Sequence, residues 1–136
     1  MPIIYRIIPE QKISYIKAWG KISVDEIILE GARMFSEKEW ENGFNILCDY
    51  REIIEVISKS EDIMEIVEHD KKNEPIFNKS KCAIVAKSDL IFGLSRMWEI
   101  LSEDTKLTKM VFRDIKDAKR WLGLSLDSLD SIYKLP

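Results

Sequence analysis

Three short groups of side chains in this 136-residue chain have the types and positions to hold an anion: Asp49, Tyr50 and Arg51; Ser88 and Asp89; Arg113 and Asp114. Each follows an apolar run that reads as a strand, namely Phe44 to Cys48, Cys82 to Ala86 and Leu107 to Phe112. In open α/β sheets, ligands dock beyond the carboxyl ends of parallel strands, so the three groups are expected along one rim. Helices starting near Ser88 and Asp114 add free N–H groups and partial positive charge there, beside Arg51 and Arg113. The plainer reading makes Ser88 and Asp114 ordinary helix caps and pairs each arginine with a nearby carboxylate.

Signals for catalysis are weaker. A Cys48 nucleophile needs a base to hold it as a thiolate, yet its strand neighbours are Ile46 and Leu47, which fits a buried structural thiol. His69, the single histidine, lies among Glu68, Asp70, Lys71 and Lys72 with no cysteine or second histidine beside it. That context reads as surface rather than as a metal ligand. No nucleophile and base stand at a recognisable spacing, so a noncatalytic chain without metal or cofactor is expected. Phe92 and Arg96, four residues apart on the side of their helix away from its apolar stripe, form a second candidate surface. Gly93 between them costs a helix up to ~1 kcal/mol relative to alanine, which points to close approach by another backbone. Tight packing within the subunit and self-association both fit.

The elements that must position these groups follow from periodicity. Ile3 to Ile8 and Ile13 to Trp19 are rich in β-branched and aromatic residues and read as a hairpin. Ser23 with Glu26, and Ile22 with Ile27, give a capping box and hydrophobic staple for a helix continuing to Met34 and Phe35. Between Glu52 and Asn73 a helix carrying Ile63, Ile66 and Val67 is expected, capped by Ser58 or Ser60 and stopped before Pro75. Ile53, Ile54, Val56 and Ile57 before it read as a turn or loop able to roof a cavity. A helix from Ser88 carries Leu90, Ile91, Leu94, Met97, Trp98 and Leu101 on one face, and a last helix runs from Asp114 to Gly123. The expected architecture is α/β: a mixed, mainly parallel five-stranded sheet with an N-terminal hairpin and about four helices. One domain spans residues 1–123, and a tail, 124–136, offers Leu126, Leu129, Ile132 and Tyr133 for docking.

Four stretches in order carry a resemblance: Gly20 to Glu26, Leu47 to Arg51, Ala83 to Asp89 running on to Phe92–Met97, and Val111 to Asp114 followed by Ala118, Trp121 and Leu122. Together they resemble the SpoIIAA-like family of small bacterial proteins, related to STAS and CRAL-TRIO domains. The resemblance implies a STAS-like fold, an intracellular setting and no established enzymatic activity. Anti-sigma-factor antagonists of the wider group carry a phosphorylatable serine just after an aspartate-ended strand. Here Tyr50 and Arg51 follow Asp49, and Ser58 lies well downstream, which argues against a phospho-switch. CRAL-TRIO relatives bind hydrophobic ligands such as lipids.

Composition narrows the partners. With 46% hydrophobic and 33% charged residues the chain can bury a core and coat it. Its net charge of −3 disfavours nucleic acid. Two cysteines are too few for a disulfide framework, which points to a reduced cytoplasmic protein. No apolar run reaches the roughly 18 residues of a membrane span, and no signal sequence is evident. The expected role is a binding or regulatory domain acting through protein contacts, with a homodimer as the expected assembly. The alternative is a carrier of a small apolar, lipid-like or anionic ligand.

Overall fold

β-Branched and aromatic residues along Ile3–Ile8 (β1) and Ile13–Ser23 (β2) form an antiparallel pair, with Ile3 opposite Ala18 and Ile8 opposite Ile13. A 3-10 turn, Pro9–Gln11, joins them and closes on Lys12 in the left-handed region. The computed structural model describes residues 2–57, 61–77 and 79–125. β2 then runs directly into α1 (Val24–Phe35). The expected capping box forms there: Ser23 Oγ accepts from the Glu26 amide at 3.2 Å, and Glu26 Oε1 accepts from the Ser23 amide at 3.1 Å.

The next strand differs from expectation. β3 (Asn45–Ile57) continues nine residues beyond Cys48, so Ile53, Ile54, Val56 and Ile57 belong to a strand and not to a turn or loop. The cause is a partner strand of matching length: β2 pairs with β3 in parallel as far as Ser23 opposite Ile57. Buried Ile53 and partly buried Val56 anchor the extension to the core. Lys17–Glu52 and Lys21–Glu55 ion pairs, at 3.6 and 3.8 Å, link its two strands.

After α2 (Glu61–Lys72) comes a single helical turn, α3 (Glu74–Phe77), with Pro75 in its first turn, where a missing N–H costs nothing. The expected caps Ser58 and Ser60 lie outside the described residues. β4 (Lys81–Val85), α4 (Asp89–Leu101), β5 (Thr108–Phe112) and α5 (Ile115–Trp121) complete the order. The sheet order is β1-β2-β3-β4-β5, with β2 to β5 parallel and β1 antiparallel. The strands holding Cys48, Val85 and Phe112 therefore lie side by side and point the same way, as expected from the alternating pattern.

Helices α1, α2 and α4 cover one face of the sheet, over a core that includes Ile16, Ile46, Ile84 and Ile91. α5 packs on β4 and β5 at the other face, over Tyr15, Leu47, Val85 and Ala118. The outer edge of β5 is blunted by a side chain: the Val111 amide donates to Glu99 Oε1 at 3.1 Å. Gly123, at φ +78°, ends α5. Leu124, the first residue after Gly123, packs on the second core, and Leu126, Leu129, Ile132 and Tyr133 lie outside the described residues. Among the described residues, no helix is long and apolar enough to cross a membrane.

α4 is rotated relative to the expected stripe. Ile91, Leu94 and Trp98 face the body together with Ser95, whereas Leu90, Met97 and Leu101 are exposed alongside Ile100. Two polar links fix this rotation: Ser88 Oγ accepts from the Ile91 amide at 3.2 Å, and Trp98 Nε1 donates to Asp70 on α2 at 2.7 Å.

Candidate functional site

Small residues line the space between the three helices and the sheet: Gly31 on α1, Ser95 on α4, and Cys48 and Cys82 on the strands. They leave a cavity of about 110 Å³. Most of its wall is aliphatic or aromatic, including Ile28, Met34, Phe35, Ile66 and Leu94. Edge-to-face contacts of Phe35 with Trp40 and Phe77, at 4.9 and 5.3 Å between centroids, stiffen the wall beside Phe35.

One part of the lining is polar. Asp70, 5% exposed, takes the Trp98 indole N–H on Oδ2, and Lys109 Nζ lies 3.7 Å from the same oxygen. Lys109 comes from β5 and is held by Thr105 Oγ1 at 2.9 Å and the Leu107 carbonyl at 3.1 Å, above the Trp98 ring. Burial raises the Asp70 carboxyl to about 6 against the pull of Lys109 and Trp98. Burial likewise lowers Lys109, with Asp70 opposing it, so desolvation outweighs attraction for both partners. His69, also on the cavity wall, is lowered by burial and then by Lys72. His69 is thus partly exposed, as expected of a surface residue, with one side turned to the cavity.

Cys48 and Cys82 meet across β3 and β4 with their sulfurs 3.9 Å apart. The hydrogen bond with Cys48 and burial push the Cys82 thiol well up, and burial does the same to the Tyr50 hydroxyl beside them. A thiol held protonated is a poor nucleophile.

The rim residues singled out by sequence fall into two clusters, one within β3 and one beyond β4 and β5. Because β3 continues, Asp49, Tyr50 and Arg51 lie within it and alternate: Tyr50 joins the cavity face, while Asp49 and Arg51 point to the opposite face. There the Asp49 carboxylate, 3% exposed, accepts from Arg51 Nε and Nη2, each at 2.8 Å, and from the Tyr15 hydroxyl at 3.0 Å. Burial pushes its pKa up, but the Arg51 contacts outweigh it and hold the group below the usual carboxylate range.

Ser88, Asp89, Phe92 and Arg113 do gather, beyond β4 and β5. Arg113 donates to Asp89 and to the Lys87 carbonyl, each at 2.8 Å, and stacks on Phe92 at 4.2 Å. Phe92 is therefore partly buried under Arg113, and not an exposed aromatic beside Arg96. Arg96 pairs with Glu99 instead. A side chain built on Gly93 meets nothing within 4 Å, so no other backbone among the described residues approaches it.

No protein-family model matches the chain, nor does any curated protein. Among solved structures it is similar to a crystal structure of an uncharacterized protein from the DUF3478 family of Shewanella loihica PV-4, described as having a SpoIIAA-like fold. The two are 21% identical over 88% of this chain and 93% of that one, with a TM-score of 0.54. The fold is SpoIIAA-like.

Within the SpoIIAA-like fold, the polar group most central to the cavity is one that sequence reasoning passed over. Asp70 sits in a charged run, yet it continues the buried stripe Ile63, Val67, Asp70 at helical spacing. Lys109 likewise takes an inward place beside Val111 in the alternation of β5. An acid on an apolar stripe and a lysine at an inward strand position, read together, signal a buried ion pair.

Proposed function

We propose that this chain is a noncatalytic binding domain whose ligand is a small apolar molecule held beneath α1, α2 and α4. The cavity carries this reading: its wall is almost wholly hydrocarbon, which leaves little reason for water to fill it. Size decides the class of occupant. An apolar cavity of about 150 Å³ takes benzene or xenon, so about 110 Å³ favours a small compact molecule over a bulky one. The rim supports an anion less well, since Arg51 is engaged by Asp49 and Arg113 by Asp89 and the Lys87 carbonyl. Protonated Cys82 supports a noncatalytic role, and free Cys48 and Cys82 suit a reducing, cytoplasmic setting.

Nuclear magnetic resonance titration with toluene tests the reading. Saturable shifts of methyl groups on Ile28, Ile66 and Leu94 are expected. Shifts that do not saturate, or that map to the surface, refute it.

A second reading, contact with another copy of the chain, is favoured by α4. Leu90, Gly93, Met97 and Ile100 follow a three-four spacing on its outer side, and the three apolar side chains are 59%, 38% and 54% exposed. Gly93 leaves room in that stripe for a neighbouring side chain.

A further inference from the structure

One accessible acceptor on the cavity wall bears on the chemistry of the occupant. Asp70 lines the space, and both of its neighbouring donors, Trp98 Nε1 and Lys109 Nζ, lie on a single oxygen, Oδ2. A carboxylate offers about four acceptor positions over two oxygens. Among the described residues, Oδ1 takes no hydrogen bond from another side chain. We propose that the occupant is a small neutral amphiphile, an apolar body of about benzene size carrying one O–H or N–H that donates to Asp70 Oδ1. This rests on the cavity reading above.

Charge excludes the other head groups. An anionic head meets the Asp70 carboxylate on a wall that is otherwise mostly hydrocarbon and offers little to offset the repulsion. A cationic head finds that carboxylate already balanced by Lys109, whose ammonium lies 3.7 Å away, and adds an unpaired charge to a hydrocarbon lining. A neutral donor is attracted to the carboxylate and leaves the Asp70–Lys109 pair intact. Bonds to ionised acceptors are the stronger kind, so a neutral donor gains most at this oxygen.

The test compares toluene with phenol, two molecules of nearly equal shape that differ in a methyl against a hydroxyl. In an apolar cavity without an acceptor, leaving the hydroxyl unpartnered weakens phenol roughly 10- to 100-fold relative to toluene. The inference expects phenol to bind at least as tightly as toluene. It also expects phenol to move the indole N–H resonance of Trp98, assigned with Trp98→Phe, because that group shares the carboxylate. Phenol bound tenfold or more weakly than toluene, or bound without moving Trp98, overturns the donor contact and leaves the cavity reading standing. Benzoate binding as well as phenol also overturns it. Failure of toluene and phenol alike removes the cavity reading and this inference together.

Discussion

Replacing Gly31 by alanine should stabilise the protein by about 1 to 2 kcal/mol. Gly31 lies inside α1, where glycine costs roughly 1 kcal/mol relative to alanine. An added Cβ there meets nothing within 4 Å, and the residue lines the cavity. The new methyl group therefore enters empty apolar space and adds up to about 0.8 kcal/mol by leaving water. Gly93→Ala in α4 is the matched control: it has the same helical setting and the same open surroundings, but the position is exposed. It should gain only the helical part, about 1 kcal/mol, so the difference between the two variants isolates the cavity wall. Urea unfolding followed by tryptophan fluorescence and circular dichroism measures both, with the transition slope checked for constancy. A larger substitution, Gly31→Leu, should fill the space and abolish toluene binding in a folded protein. Loss of stability in Gly31→Ala, or a gain no greater than that of Gly93→Ala, would show that α1 and its neighbours already fill this volume, and the argument for a ligand would fail.

Three other outcomes follow from the same geometry. Asp49→Asn should cost about 2 kcal/mol in urea unfolding, less than a fully buried ion pair because the Arg51 side chain is 34% exposed, and a cost below about 0.5 kcal/mol would contradict the network. Its carboxyl is held below the ordinary value, so the stability it contributes is present above that value and lost as pH falls through the folded one; Asp49→Asn should flatten this acid limb. Asp70 has the opposite sign: with its pKa raised from 3.8 to about 6, the folded state binds the extra proton, and stability should fall by on the order of 2 to 3 kcal/mol as pH rises through that window. Unfolding free energies measured across that window should show the slope in the wild type and its absence in Asp70→Asn. Finally, Met97→Glu should convert a self-associating species to monomer in sedimentation velocity while leaving the unfolding midpoint in place; a wild-type protein that stays monomeric at high concentration rejects the α4 contact.

Much of the architecture was legible because local signals agreed with one another. Ser23 and Glu26 marked the start of α1, and the apolar runs around Leu47, Ile84 and Met110 marked parallel strands with their order intact. β3 was cut short because Asp49 and Arg51 look like the end of a strand. They close on each other across one face, and that pairing of side chains two apart is visible only once the strand is known to continue. Counting apolar residues alone favours the widest stripe on α4, Leu90, Met97 and Leu101 included, although these three are exposed. The helix instead turns its Trp98 indole toward a carboxylate on α2, a contact between residues 28 positions apart. Phe92 was matched with Arg96 on local spacing, whereas the cation that covers it comes from beyond β5. In each case the deciding partner was distant in sequence.

The two faces of the sheet treat a buried acid in opposite ways, and the proposed binding site rests on that contrast. On the α5 face, Asp49 is engaged at both oxygens by Arg51 and again by Tyr15, and a carboxylate so fully occupied is a structural fixture. On the other face, Asp70 has its protein donors on one oxygen, sits against a cavity, and has a pKa moved toward the neutral form. Small residues keep the layers apart there, where larger ones would pack the space shut, at a cost in lost dispersion contacts. A cavity and an incompletely engaged acid in the same place each lower stability alone, and one occupant with an apolar body and a single donor would relieve both.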